Sequence, residues 1–217
     1  TLEIHNAGYE EGLTRLAAGI KSTGAGAAIQ LFHPGRQMHP KYTGNSLVAP
    51  SAIPCPVMKA APSVLSGAEI RQLVADFVEG AVRAKQVGFD AVEIHAAHGY
   101  LGAQFLSPLS NNRTDAYGGS SERRARFVLE IGRGIREAVG DDFPVLLRFS
   151  ADEKLKGGLT LDAARCLVPL FEKAGFSALH VSAGCYSSME WIVQPYLQER
   201  ACLGDLAKAI RQETDLP

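Results

Sequence analysis

At 217 residues with 46% hydrophobic content, the chain can bury a sizeable core and fits one large domain more simply than two small ones. A formal net charge of −1, from 22 basic and 23 acidic residues scattered without long runs, gives no electrostatic footprint for nucleic acid or an anionic membrane, so small molecules are the expected partners. No apolar stretch approaches the roughly 20 residues that span a bilayer, the start TLEIHNAGYEEG has neither a basic nor an apolar signal core, and Cys55, Cys166, Cys185 and Cys202 form no C-x-x-C pair, so a soluble, cytoplasmic protein with reduced thiols is expected.

The first helical stretch, GLTRLAAGIKS (12–22), leads into a short apolar run, AAIQL (27–31). A long connection over 34–65 follows, holding Pro34, Pro40, Pro50, Pro54, Pro56 and Pro62. A helix then opens with the capping pattern Ser66-x-x-Glu69, closes near Gly88 and feeds the strand DAVEIH (90–95). A second long connection, 97–120, contains Gly118 and Gly119 and precedes the helix SERRARFVLEIGRGIREAVG (121–140). The strand PVLLRF (144–149), a helix capped at Thr160 and ending at Gly175, the strand ALHVS (178–182) and a last helix within LGDLAKAIRQETDLP complete the chain.

Short apolar runs alternating with helical stretches indicate βα units and a parallel sheet. Such units close into an eight-stranded barrel at about 250 residues, so four strands make half of one. The choice lies between an open doubly wound sheet and a part of a longer barrel; no G-x-G-x-x-G follows any strand, which weakens the first. Both long connections exceed the roughly 15 residues usual for a structureless join. Each follows a strand, which puts both at the C-terminal rim where barrel active sites are built.

Side chains alternate along a strand with period two. One face of every strand is aliphatic and suits a layer of helices; the other collects Gln30, Glu93, His95, Arg148, His180 and Ser182. Buried ionisable groups cost several kcal/mol unless paired. The set is therefore either an internal ion-pair network, for instance Glu93 with Arg148 or His180, or a site that recruits Gln30, His95 and Arg148. His95 and His98 stand three apart in VEIHAAHGY, across a strand end and without a third donor nearby, which is not the i, i+4 helical spacing of a zinc pair, and no metal is expected. Two imidazoles can present N–H groups to one oxygen, and a phenol such as Tyr100 is a credible acid toward an enolate carbon.

The segments IQLFHPGR (29–36), VEIHAAHGYLGAQFLSPLSNNRTDAYGGSSERRARF (92–127) and LLRFS (146–150) resemble the Old Yellow Enzyme family of NADH:flavin oxidoreductases and FMN-dependent ene-reductases, including 2-enoate and 2,4-dienoyl-CoA reductase-like members. The resemblance, from about residue 13 onward, implies a TIM (β/α)₈ barrel of which the chain carries roughly strands two to five, so that 1–217 would be a partial FMN-binding domain, inactive alone and weak in flavin binding. It implies that Gln30 and Arg148 bind FMN, and that His95 and His98 bind the substrate's carbonyl or similar oxygen and polarise it. It implies that Tyr100 protonates the α-carbon, with NADH or NADPH as hydride donor acting through the flavin. The implied reaction is reduction of the activated C=C bond of α,β-unsaturated carbonyl compounds. An amine-oxidising or demethylating barrel and a non-catalytic flavin-binding barrel are the alternatives. A 4Fe–4S cluster and FAD in parts of a longer protein, and a homo-oligomer, are left open by the same resemblance. His33, Arg36, Arg113, Asp115 and Arg124 are expected to shape loops, and Tyr186 and Trp191 either to line the substrate pocket or to pack.

Overall fold

In a computed structural model that describes residues 3–38 and 46–217, each run predicted as a strand forms one; Pro40 lies outside the described residues. The strands in chain order are β1 (Ala28–Leu31), β2 (Val48–Ala49), β3 (Ser63–Val64), β4 (Ala91–Ala96), β5 (Val145–Ser150) and β6 (Ala178–Ser182). The four longer ones make a parallel sheet in the order β1-β4-β5-β6, while β2 and β3 pair only with each other inside the first long connection. The helices are α1 (Glu10–Lys21), α2 (Gly67–Gln86), α3 (Leu101–Leu106), α4 (Ser121–Val139), α5 (Leu161–Lys173) and α6 (Gly204–Arg211), with 3₁₀ segments at Ala7–Tyr9 and Tyr186–Trp191.

The aliphatic strand faces decide the architecture. Val92, Ile94, Val145, Leu147 and Phe149 are buried in one cluster with Phe127, Ile131, Ile135, Leu167 and Phe171 from α4 and α5. Each such side chain contributes about 1.5–3 kcal/mol on leaving water. Among the described residues no helix covers the other face: Gln30 and His180 are exposed and Glu93 and Arg148 are half-buried. A doubly wound sheet would be covered on both faces. Helices on one face only, with polar residues on the other, make these strands a segment of a (β/α)₈ barrel wall.

Register stacks the polar face in layers. Gln30 lies opposite Glu93, His95 opposite Arg148 opposite His180, and Ser150 opposite Ser182, each layer nearer the C-terminal end than the last. The helix starts follow their sequence signals: Ser66 Oγ accepts from Glu69 N–H at 3.2 Å while Glu69 accepts from Ser66 N–H at 2.7 Å, and Thr160 Oγ1 accepts from Ala163 N–H at 3.4 Å. After α6 the Pro217 carbonyl accepts from Leu179 N–H at 2.9 Å, the contact that Pro144 O makes with Val92 N–H at 3.1 Å just before β5.

The connection 97–120 is not all loop, because Leu101–Leu106 forms α3 with every residue buried. Six residues are too few to show helical period in the sequence, and a close approach holds them: a Cβ on Gly102 would fall 2.8 Å from Ala96 Cβ. Arg113 ties the two long connections together, and Arg124 ties the second to α4. Arg113 Nη1 donates to Pro50 O (2.9 Å) and Leu65 O (2.6 Å) while its other nitrogens grip Asp115, and Arg124 donates to Leu106 O at 2.9 Å and Gly119 O at 2.6 Å.

Candidate active site at the strand ends

His95, in β4, is 6% exposed, and His98, just beyond the strand, is 5% exposed. Their ring centroids are 5.1 Å apart, and His95 stands 5.0 Å from Tyr100, edge-on in both cases. The loop between them is over-determined. His98 has φ +60°, a left-handed conformation that costs a non-glycine residue about 1–3 kcal/mol. It is held there because its N–H donates to Ser150 Oγ at 3.0 Å and its carbonyl accepts from Gln37 Nε2 at 3.0 Å, while Nε2 shares a hydrogen with Ser182 Oγ at 2.7 Å. A short β-bridge joins His98 to Cys185. Gly99 follows with φ +78°, and a Cβ there would collide with the Gln37 side chain. Tyr100 then caps α3 without using its phenol, because Leu101 N–H donates instead to His33 O at 2.9 Å.

Burial and bonding fix the protonation of this pair. Desolvation, then the neighbouring His98, Arg148 and His180, lowers His95 to about 3; desolvation, Arg148 and His180 lower His98 to about 4. Both rings are neutral at pH 7. His95 Nδ1 accepts from Ala97 N–H at 3.1 Å, so the neutral ring carries its proton on Nε2 and offers it as a donor. Phe32 packs against Tyr100 and His95 at centroid distances of 5.2 and 6.3 Å, walling the site from the β1 side. The Tyr100 hydroxyl meets the Tyr186 hydroxyl at 3.2 Å.

The structure treats the remaining polar residues differently. Gln30 Nε2 donates to Glu93 Oε1 at 2.5 Å, and Glu93 Oε2 meets His180 Nδ1 at 2.8 Å. An internal network thus exists on the open face, joining Gln30, Glu93 and His180 and leaving out Arg148. Arg148 Nε is buried with no hydrogen-bond partner among the described residues. An orphaned guanidinium nitrogen on a face shared with an amide that keeps its carbonyl oxygen fits an anionic, hydrogen-bonding ring such as a flavin's pyrimidine edge. Among the described residues no group of three or more His, Cys, Asp or Glu is placed to hold a metal ion, and no helix is long and apolar enough to cross a membrane.

The loop residues separate as well. Arg113, Asp115, Arg124 and His33, whose Nδ1 accepts from Gly35 N–H at 3.0 Å, shape their loops. Arg36 does so by donating to Ile53 O at 2.7 Å, and it also lines a cavity of about 180 Å³ with Gln37, Cys55, Ser110, Glu153 and Tyr186. Trp191 packs under Lys154 at 4.7 Å instead of lining that cavity. Burial raises the Cys185 thiol, which makes it a poor nucleophile. Glu153 escaped sequence reasoning. It is 5% exposed, accepts from Ser107 Oγ at 2.6 Å and Leu159 N–H at 2.7 Å, and burial raises its carboxyl. Its only sequence signal is its place three residues past β5, at the same rim.

Residues 1–189 match the NADH:flavin oxidoreductase / NADH oxidase family. The NADH oxidase of Thermoanaerobacter brockii is 45% identical over 217 residues, which are 100% of this chain and 33% of the relative. A solved 2-naphthoyl-CoA reductase in complex with 2-naphthoyl-CoA superposes with TM-score 0.91 at 28% identity, over 99% of this chain and 34% of that one. Morphinone reductase in complex with tetrahydroNAD superposes with TM-score 0.81 at 30% identity, over 98% and 60% respectively. The chain therefore spans about a third of the length of the oxidase it matches.

Proposed function

Since the chain belongs to the NADH:flavin oxidoreductase / NADH oxidase family, that of Old Yellow Enzyme, we propose that it forms the substrate-activating side of an FMN-dependent reductase of activated C=C bonds. The observation that carries this reading is the rim itself: two buried neutral imidazoles, one with a committed Nε2 donor, beside a phenol.

Arg148 and Gln30 would hold the FMN pyrimidine edge, Arg148 through its guanidinium, whose buried Nε has no partner among the described residues, and Gln30 through its carbonyl oxygen. When bound, FMN supplies hydride taken from NADH or NADPH. The protein's own share is electrostatic and acid–base. His95 and His98 donate to the substrate's carbonyl oxygen and stabilise the negative charge that grows there, in a setting that needs no reorganisation because the loop is already fixed. Tyr100 delivers a proton to the α-carbon. Arg148 places a positive charge opposite His95 in the same sheet layer and favours anionic character on that face. Neutral donors suit an oxygen acceptor better than an amine, which would ask the rim for an acceptor or a base.

The test is anaerobic mixing of the NAD(P)H-reduced holoenzyme with enones, enoates and enoyl thioesters. Reoxidation with saturated product is expected for at least one class. Flavin-loaded protein that reduces none of them, or that oxidises amines instead, overturns the reading.

A further inference from the structure

The site described above leaves one question of chemistry open: a phenol that gives its proton to carbon must regain one before the next turnover. Tyr100 is not among the residues lining the 180 Å³ cavity, whereas Tyr186 is, and the two hydroxyls are 3.2 Å apart with their rings edge-on at 6.0 Å. We propose that Tyr186 is a proton-relay residue that acts through Tyr100, passing it a proton from water in the adjoining cavity. This rests on the reading of Tyr100 as the proton donor.

Tyr186 is positioned for the task by the strand next but one. β6 ends at Ser182, and Gly184, φ +78°, turns the chain so closely that a Cβ would lie 2.8 Å from Trp191 Cβ. The 3₁₀ segment that begins at Tyr186 is then pinned by Ser188. Its hydroxyl accepts from Cys185 N–H at 2.9 Å and donates to Glu153 O at 2.7 Å. Tyr186 thus starts from a fixed backbone, meets Tyr100 through its hydroxyl and lines the cavity.

The cavity is large enough for water and has polar groups among apolar walls that include Ile53, Leu109 and Leu155. A water molecule occupies about 30 Å³ in the liquid and needs two to four polar partners; Ser110, Gln37, Glu153 and Ser187 line this one. The step balances without any further reagent. The Tyr100 O–H bond breaks as its proton joins the enolate carbon, whose electron pair forms the new C–H bond. Tyr186 gives its proton to the Tyr100 oxygen, a cavity water gives one to Tyr186, and the hydroxide left behind exchanges with solvent. Burial and the Tyr100 hydrogen bond push the Tyr186 phenol well above the ordinary tyrosine value, so its proton moves only as it is replaced, and the two transfers are concerted.

The experiment uses the flavin-loaded holoenzyme with 2-cyclohexenone as the probe. Tyr186→Phe should slow reoxidation by the enone about tenfold, part of the 10²–10⁴ that a positioned acid supplies, and leave flavin reduction by NAD(P)H within about twofold. The proton inventory in mixed H₂O and D₂O should be curved in the wild type and linear in Tyr186→Phe, a change that a purely structural role would not produce. Because the two phenols act in series, Tyr100→Phe with Tyr186→Phe should be no slower than Tyr100→Phe alone. Wild-type reoxidation rates in Tyr186→Phe, or multiplicative losses in the double variant, overturn the relay while Tyr100 stands. A Tyr100→Phe enzyme as fast as the wild type removes the donor and the relay together. Independently of turnover, the ultraviolet titration of Tyr186, taken as wild type minus Tyr186→Phe, should move down in pH in a Tyr100→Phe background. A titration that stays in place breaks the phenol pair.

Discussion

His95 and His98 keep 6% and 5% of their surface in solvent, whereas His180, in the same sheet layer as His95, keeps half of its side chain there. The residue type is shared and the setting is opposite. At the rim, the ends of three strands give each imidazole a defined partner, Ala97 N–H for His95 and Ser182 Oγ for His98, while Ser150 Oγ holds the His98 backbone N–H. On the open face, His180, Glu93 and Gln30 satisfy one another side by side. Burial at the rim removes the option of charge and leaves two neutral imidazoles, His95 with its proton on Nε2; on the open face the polar groups pair with one another. The first arrangement fixes orientation, as the proposed chemistry requires, and the second links Gln30, Glu93 and His180 on the face proposed to hold the FMN.

The largest effect that could break this contrast is on catalysis. If the rim donors act on developing charge, His95→Ala should slow reoxidation of the reduced holoenzyme by an enone about 10²-fold, the loss seen when one preorganised donor is removed. Rapid-mixing absorbance of the flavin reads it, with flavin reduction by NAD(P)H as the internal control. A loss below about threefold would put His95 in the same class as His180.

The sequence carried most of this and missed particular parts for physical reasons. Period two placed Gln30, Glu93, His95, Arg148 and His180 on one face, and the register agrees, because parity along a strand is fixed by the pleat whatever its neighbours do. The one-sided helix layer required the fold, since aliphatic runs read alike whether one face or two are covered. Pairing was beyond reach: Glu93 could have met Arg148 or His180, and only the diagonal across β4, β5 and β6 selects His180. The left-handed turn at His98 leaves no mark in composition, because its hold comes from Gln37 and Ser150, 61 and 52 residues away in the chain. Glu153 was hidden similarly, and Tyr186 was left between lining a pocket and packing, since each gains its meaning from a cavity assembled by four separate loops. The helix Leu101–Leu106 was too short to declare itself.

Stability against pH offers the next test. The unfolded chain takes protons on its histidines near pH 6.5, while folding lowers His95 to about 3 and His98 to about 4. The unfolded state therefore binds more protons below pH 6.5, so the stability these residues contribute is complete above that pH and is lost as pH falls toward 4 and then 3. Each should cost up to about 1.4 kcal/mol per pH unit in that window. Urea midpoints at pH 7 and pH 5 should differ in the wild type, and much less in a His95→Asn, His98→Asn double variant. Equal acid sensitivity in both proteins would mean that the rim imidazoles are not held neutral by the fold. The same shifts predict that reoxidation by an enone shows no histidine limb between pH 5 and 8, because both rings stay neutral throughout.

The smallest effect belongs to the open face. Glu93, with 15% of its side chain exposed, accepts from Gln30 and meets His180, whose side chain is half in water, so solvent screens the pair from the His180 side and its worth should fall in the range of about 0.2–1 kcal/mol. Glu93→Gln keeps the shape and one acceptor for Gln30 while removing that charge. The loss should stay below about 1 kcal/mol, which for a chain of this size moves the melting temperature by no more than about 2–4 °C. Salt makes the test specific. Raising ionic strength should shrink the difference between wild type and Glu93→Gln, since exposed charges are screened over about 10 Å at 0.1 M, whereas the pH-dependent loss at the rim arises mainly from desolvation and should persist. A salt-resistant loss of several kcal/mol on Glu93→Gln would place Glu93 in the buried class with His95 and His98, and the division between the two ends of the sheet would have to be redrawn around all three.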